Sequence, residues 1–501
     1  MLKRNTIANY LGTGWAALMA IAFVPLYIGY LGIEAFGIIG LFVLLQAWLT
    51  LLDLGMTPTL NREMARFTAG LHSPEAIRDI LRTLEAVAAL LAILVAATVV
   101  LAAPWIATRW VQVGALSADT AARAIAMMGV VIGLRFLESL FRGSILGLQR
   151  QVLYNAIHAT TATLHGAGAV AVLAFWSPTL EAFFLWHMLV SALSVGLLAV
   201  ATYLSLPQSV RVARVSTAAL RGIWRFAGGM LGITLLSLLL TQVDKLLLST
   251  LLPLAEYGVY VLAAAVAAVP VSLTAAPITQ AWFPRMSQLH ASGNEAALAQ
   301  TFHQGAQLAS MTLGTAAIFL IFFSEPLLRI WTGDADLARQ AAPLLSLLAF
   351  GNLLNGLMWL PYHAQLAHGW TSLTIHINTC AVLVIVPAIL IVTPIYGAIG
   401  AASIWVALNA FYVLVGAPLM FRRILRGEQR RWYLEDLLRP LALAGFAGLA
   451  MRILLPTDLS GASGLVLLLL AAGAVLAAAT LATPWVTTRL YTCLRANSAF
   501  V

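Results

Sequence analysis

Fourteen apolar stretches, separated by polar intervals too short to fold alone, leave this chain few architectures. Hydropathy places them at 7–31, 34–55, 84–107, 124–147, 152–176, 180–204, 226–251, 256–280, 305–327, 341–363, 371–393, 398–421, 440–455 and 463–484. Crossing a hydrocarbon core takes about 20 apolar residues. The longest polar intervals are Met56–Thr83, Ser205–Arg225 and Ala281–Gln304, all below the ~50 residues of a small domain. Inside lipid each backbone amide must be satisfied within the chain, so such stretches become helices. The expected fold class is an all-α polytopic membrane protein of about 14 transmembrane helices. Composition agrees, since 9% of the 501 residues are charged against roughly 25% in soluble domains.

Lys3-Arg4 followed by the run 7–31 imitates a secretory signal. The run is too long for a 7–15-residue signal core and flows into the next apolar segment, so it reads as a retained first span. Cys380 and Cys493 lie far apart, which argues against a disulfide framework or a zinc site. No metal site and no cofactor are expected.

The net charge of +9 is a topology signal rather than a nucleic-acid footprint. With a cytoplasmic N-terminus, the inner segments hold 2+4+1+4+1+6+2 = 20 of the 28 Lys and Arg residues. The outer segments hold Arg109, Arg123, Arg329 and Arg339, and four more sit in spans. This bias orients the chain with both termini in the cytoplasm.

An internal repeat joins the halves. Gly32-Ile-Glu34-Ala-Phe36-Gly37 opens the second span and Leu254-Ala-Glu256-Tyr257-Gly258 opens the eighth, an offset of 258 − 37 = 221. Pro58 and Arg62 find rough counterparts in Pro277 and Arg285. Six spans separate the copies, so they share one orientation, as in a parallel repeat about the membrane normal. The expected organisation is a six-helix lobe at 1–210, a second at 211–430, and two added helices with a tail at 431–501.

Four spans carry the candidate charged or histidine groups, while Asn352, Asn355, His376 and Asn378 in spans ten and eleven are expected to bond between helices. In the fourth, Arg135, Glu138 and Arg142 fall at i, i+3 and i+7 on one face, with Gly129-x-x-x-Gly133 and Gly143-x-x-x-Gly147 available for close packing. Charge at mid-membrane is costly and marks a functional candidate. Glu138 is placed to pair with both arginines, leaving net positive charge toward a lumen. In the seventh, Asp244 and Lys245 are adjacent and point about 100° apart on a helix, so each is expected to seek a partner elsewhere. Asp53 closes the second span. In the fifth, Asn155, His158, Thr161 and His165 form a stripe, making His158 and His165 candidates for a lumen lining or proton relay. The candidate substrate contacts are Arg135, Arg142 and Lys245. The candidate coupling or ion-pair groups are Glu138, Asp244, Asp53, His158 and His165. No phosphate-loop, zinc-protease or nucleophile-elbow motif is present, and no enzyme activity is expected.

Leu31-Gly-Ile-Glu34-Ala-Phe36-Gly37, Leu52-Asp-Leu-Gly55 through Arg62-Glu63-Met-Ala65, and Asp244-Lys245 with Glu256-Tyr257-Gly258-Val-Tyr260 resemble the multidrug/oligosaccharidyl-lipid/polysaccharide exporter superfamily, and within it the Wzx-like polysaccharide flippases. The resemblance implies two six-helix bundles in a V around a cationic cavity. It also implies movement of an undecaprenyl-diphosphate-linked glycan to the outer leaflet of a bacterial inner membrane. Membrane lipids and a polysaccharide polymerase or export complex are the expected partners, with no nucleic acid. The rival reading is a cation-coupled multidrug or metabolite antiporter of the same superfamily.

Overall fold

The computed structural model describes residues 2–53, 55–208, 211, 213–215, 235–456 and 459–488. Arg221, Arg225, Arg489, Arg495 and Cys493, and the first part of the stretch 226–251, lie outside them. The described chain is helical and contains no strand; its one isolated bridge joins Gln112 to Pro253. Twelve helices among the described residues are long and apolar enough to cross a membrane.

The chain divides into two compact units, Met1–Gly258 and Val259–Val501. The first holds α1 (Leu2–Ala22), α2 (Val24–Leu31), α3 (Ile33–Trp48), α4 (Met56–Thr68), α5 (Pro74–Trp105), α6 (Ala118–Gly147), α7 (Gln151–Thr163), α8 (Ala169–Phe175), α9 (Leu180–Ser205) and α10 (235–251). A π turn, Leu164–Gly168, joins α7 to α8. The first unit ends within α11 (Leu254–Ala291).

Helix α6 packs against α5, α4, α9 and α3, and its glycines explain how. A Cβ on Gly129 would stand 2.8 Å from Val99 Cβ, and one on Gly133 2.8 Å from the Ala92 carbonyl oxygen. Added at Gly143, it would meet the Thr57 carbonyl at 2.8 Å; at Gly147, the Asn61 carbonyl at 2.4 Å. The first glycine pair thus seats α5 and the second seats α4, which leaves the Arg135–Glu138 face free of both.

Helix α4 is amphipathic by design of its sequence. Met56, Leu60 and Met64 recur every four residues and are buried against Leu84 and Leu140, while Arg62 and Arg66 stay in solvent. Between those arginines, Glu63 is buried and takes Arg62 at 2.8 Å, Arg66 at 3.3 Å and His72 at 2.7 Å. Burial pushes its carboxyl upward, but these partners prevail and hold it below the usual carboxylate range.

The second unit continues α11 and adds α12 (Glu295–Thr332), α13 (Ala335–Leu357), α14 (Trp359–Ala367), α15 (Ser372–Phe411), α16 (Ala417–Phe421), α17 (Gln429–Leu454) and α18 (Gly461–Leu481). α15 is not one straight rod. Tyr412 Oη donates to Asn378 Oδ1 at 3.1 Å, although 34 residues of continuous helix would separate them by about 51 Å. The chain doubles back at Gly397, whose φ of 58° and ψ of −149° suit glycine alone. The apolar segment Ser372–Phe421 therefore contains two expected spans, raising twelve to thirteen. α10 is the described part of the expected span 226–251.

Helices α17 and α18 pack on α12. A buried polar knot secures them: Asp436 bonds His303 Nδ1 and accepts from Gln307 at 2.9 Å, while His303 Nε2 meets Glu428 at 2.9 Å. Gln307 in turn accepts from the Trp485 amide at 3.2 Å. None of these residues was singled out from sequence, because His303, Glu428 and Asp436 fall in the polar intervals between expected spans and Gln307 at the start of one.

Candidate functional site

A cavity of ≈330 Å³ opens inside the first unit, walled by α1, α2, α3, α6, α7 with its π turn, and α9. Four of the eight candidate residues line it: Arg135, Glu138, His158 and His165. Tyr27, Gln46 and His187 join them.

Arg135 reaches the wall by its position on the α6 face that the glycines leave open. Its guanidinium lies over Phe42, 5.7 Å from the ring centroid. In the amide orientation that satisfies both groups, Gln46 accepts from Arg135 Nε at 3.0 Å and from a terminal nitrogen at 3.3 Å. The expected ion pairs with Glu138 do not form. Glu138 accepts from Ser194 Oγ on α9 at 2.9 Å, and no carboxylate among the described residues lies within 4.0 Å of Arg135. Residues three apart share a face, but here each long side chain is drawn to a partner on a different neighbouring helix.

The histidines arrive by a backbone device. The π turn at Leu164–Gly168 adds a residue to the turn and turns His165 toward the cavity. It leaves the Gly166 carbonyl to accept from Tyr27 Oη at 3.1 Å and the Leu164 carbonyl to accept from Trp186 at 2.7 Å. His165 and His187 stand with ring centroids 4.9 Å apart, and His187 bonds the Phe183 carbonyl at 3.0 Å. His165 Nδ1 is buried without a hydrogen-bond partner. His158 stacks on Tyr154 at 5.4 Å. The expected stripe is therefore shortened: His158, Thr161 and His165 face the cavity, while Asn155 bonds Asn9 at 2.6 Å.

The other candidates lie outside this cavity. Arg142 is exposed and close to Asp53 and Tyr154. Asp53 caps α4, accepting from the Thr57 amide at 3.2 Å and its hydroxyl at 2.6 Å. On α10, Lys245 Nζ sits 3.4 Å from Asp244 Oδ2 and 3.2 Å from the Thr241 carbonyl. Expecting these neighbours not to pair was wrong, because the four-carbon lysine tether curls back along the helix.

Tyr27, Gln46 and His187 escaped the sequence reading. Gln46 and His187 were visible as lone polar residues in apolar spans, a signal shared by many buried hydrogen-bonding residues.

The architecture and sequence have known relatives. A family model described as Polysaccharide biosynthesis protein matches residues 2–290, and one described as MatE matches residues 230–391. A Shigella flexneri protein named "Putative O-antigen transporter" is 22% identical over 403 residues, covering 80% of this chain and 93% of the relative. Among solved structures, the lipid II flippase MurJ in an inward closed conformation superposes with a TM-score of 0.69 at 13% identity, covering 95% of this chain and 98% of its own. An inward-facing multidrug resistance MATE transporter of the MOP superfamily gives 0.63 at 14% identity, covering 81% and 94%. These findings agree with the resemblance drawn from the glycine-centred motifs, and the likeness to the two solved structures is one of fold. The match over residues 2–290 spans more than half of the sequence, and the chain belongs to the polysaccharide biosynthesis protein family.

Proposed function

We propose that this chain moves a polyprenyl-diphosphate-linked oligosaccharide from the cytoplasmic to the outer leaflet by alternating access, for assembly of a cell-surface polysaccharide. The observation that carries this reading is Arg135, a cation on a cavity wall with an amide and an aromatic face for company but no carboxylate in ion-pair contact. Glu138 shares the cavity wall but bonds Ser194 instead of Arg135, so a guanidinium outside ion-pair contact suits an anionic ligand. Arginine's planar fork matches phosphate oxygens bidentately.

Gln46, Tyr27, His158 and His165 supply donors and acceptors suited to sugar hydroxyls. The ≈330 Å³ volume falls at the lower end of ligand pockets, roughly 300–1,000 Å³. It suits a diphosphate headgroup with its first sugar, while the polyprenyl tail stays in the bilayer. Arg142 and Lys245 serve as further cations along the route, and Glu138, Asp244, Asp53, His158 and His165 as coupling or ion-pair groups. The reading includes two six-helix lobes at 1–210 and 211–430 in a V, added helices at 431–501, and cytoplasmic termini in a bacterial inner membrane. It also includes partnership with a polysaccharide polymerase or export complex.

The rival, a cation-coupled multidrug or metabolite antiporter, draws on Glu138 in the same cavity and on the MatE match. Deletion of the gene separates the two. Flipping predicts lipid-linked glycan accumulating in the inner leaflet and cleared by the wild-type chain. Unchanged glycan with lost drug efflux favours the antiporter.

A further inference from the structure

We propose that His290, Glu295 and His368 form a binding site for a first-row divalent transition metal of the zinc type. The site is in the second unit, far in sequence from the cavity lined by Arg135. His290 is in the last turn of α11, Glu295 opens α12, and His368 caps the end of α14. Their ligand-capable atoms all lie within 4.8 Å of one another. Two imidazoles and one carboxylate form a donor set that zinc accepts, with a fourth position open to water or another ligand.

Three features separate this trio from an incidental cluster. First, the backbone holds two of its members close. Gly293, at φ 69°, closes a tight turn in which the Gly293 amide bonds the His290 carbonyl at 3.0 Å and the Asn294 amide bonds that of Leu289 at 3.0 Å. The Asn294 side chain then caps α12 through the Ala297 amide at 3.1 Å. Glu295 is thereby set beside His290, its Oε1 3.5 Å from His290 Nδ1.

Second, His290 Nδ1 is buried and makes no hydrogen bond. The Glu295 carboxylate reaches it at ion-pair distance without hydrogen-bond geometry, and a metal would supply a directed bond there. Third, one nitrogen of His368 is already held by the backbone. Its Nδ1 bonds the Ala364 carbonyl at 2.8 Å, which fixes the proton there and leaves the Nε2 lone pair free. Metal-binding histidines are held in this way by a backbone carbonyl on the other nitrogen. The two rings lie 4.0 Å apart at 38°.

Ligands about 2.0–2.2 Å from a tetrahedral zinc stand about 3.4 Å from each other. His290 and Glu295 already stand near that spacing, and His368 lies within 4.8 Å of both. A bound ion would add a bond between the ends of α11, α12 and α14, which already share a buried core through Leu289, Leu298 and Ala364.

The test uses the full-length, untagged, metal-stripped protein in lipid nanodiscs, with Zn²⁺ as the calorimetric probe and Co²⁺ as the spectroscopic one. The expected results are one zinc per chain and visible cobalt d–d absorption of a four-coordinate site with nitrogen and oxygen ligands. Affinity should fall about tenfold or more in H290N and in H368N, and less in E295Q. Zinc binding that persists in the H290N/H368N double variant would mark adventitious metal at other histidines and overturn the proposal. Lack of such a cobalt spectrum in the unmutated protein would overturn it too, whatever the variants do to folding.

Discussion

Gly37 and Gly258 meet in a contact that is its own mate. A Cβ on Gly37 would lie 2.6 Å from the Leu254 carbonyl oxygen, and one on Gly258 would lie 2.3 Å from the Ile33 carbonyl oxygen. The repeat offset of 221 carries Ile33 onto Leu254 and Gly37 onto Gly258, so each glycine receives the carbonyl of the other's counterpart. That reciprocity is the pattern of an isologous contact. Alanine at either position should destabilise the protein by about 1–3 kcal/mol through overpacking. The double variant should fall short of the sum, since both changes open one contact. Thermal unfolding in detergent measures this, and full additivity would show that the contact does not act as a unit.

Arg135→Ala should lower glycan export by about tenfold or more while leaving membrane-inserted protein at its normal level, given ~1.5–3 kcal/mol for a charged hydrogen bond. Arg135→Lys should fall between, because a point charge replaces a bidentate fork. Leaflet-resolved quantification of lipid-linked glycan provides the readout. Undiminished export from the alanine variant would remove Arg135 from the substrate path.

The clasp around Glu63 gives a pH dependence with a definite sign. Its folded carboxyl titrates below the unfolded value, which is near 4.3. Its contribution is therefore complete above that value and is lost as pH falls through the folded pKa. Glu63→Gln should remove this acid-dependent loosening and open α4 already at neutral pH. Hydrogen exchange over residues 56–72 reports both effects; an identical acid profile in the variant would rule the clasp out.

Asp436→Ala should cost about 3–5 kcal/mol, because it strands a buried histidine beside Glu428 and Gln307. Asp436→Asn, which keeps an acceptor, should cost less. Limited proteolysis of the α17–α18 region, compared with α12, shows whether the loss begins where these helices join.

Much of the fold was legible because membrane physics forces it. Each apolar stretch must become a helix, and the two glycine pairs of α6 mark where backbones come within van der Waals contact. The charged face opposite them was readable for the same reason. Partner choice was not legible. Periodicity puts Arg135 and Glu138 on one face but does not say that Gln46 and Ser194 stand across from them. The π turn that re-aims His165 leaves no periodic signature, and His187 is one polar residue in an apolar run. Lys245 illustrates the same gap, since helical angles describe where a Cβ points and not where a flexible ammonium ends.

The reversal at Gly397 has a practical consequence for anyone mapping this protein from outside. One glycine turns the chain between two crossings, so that corner offers almost nothing for a protease, a glycosylation tag or an inserted reporter to grip. Cut-site and fusion mapping would register an entry before Ser372 and an exit after Phe421 and count one long hydrophobic block between them. A cysteine scan that brackets Tyr412 and Asn378 would instead find crosslinking partners side by side, and would recover the crossing that the surface hides.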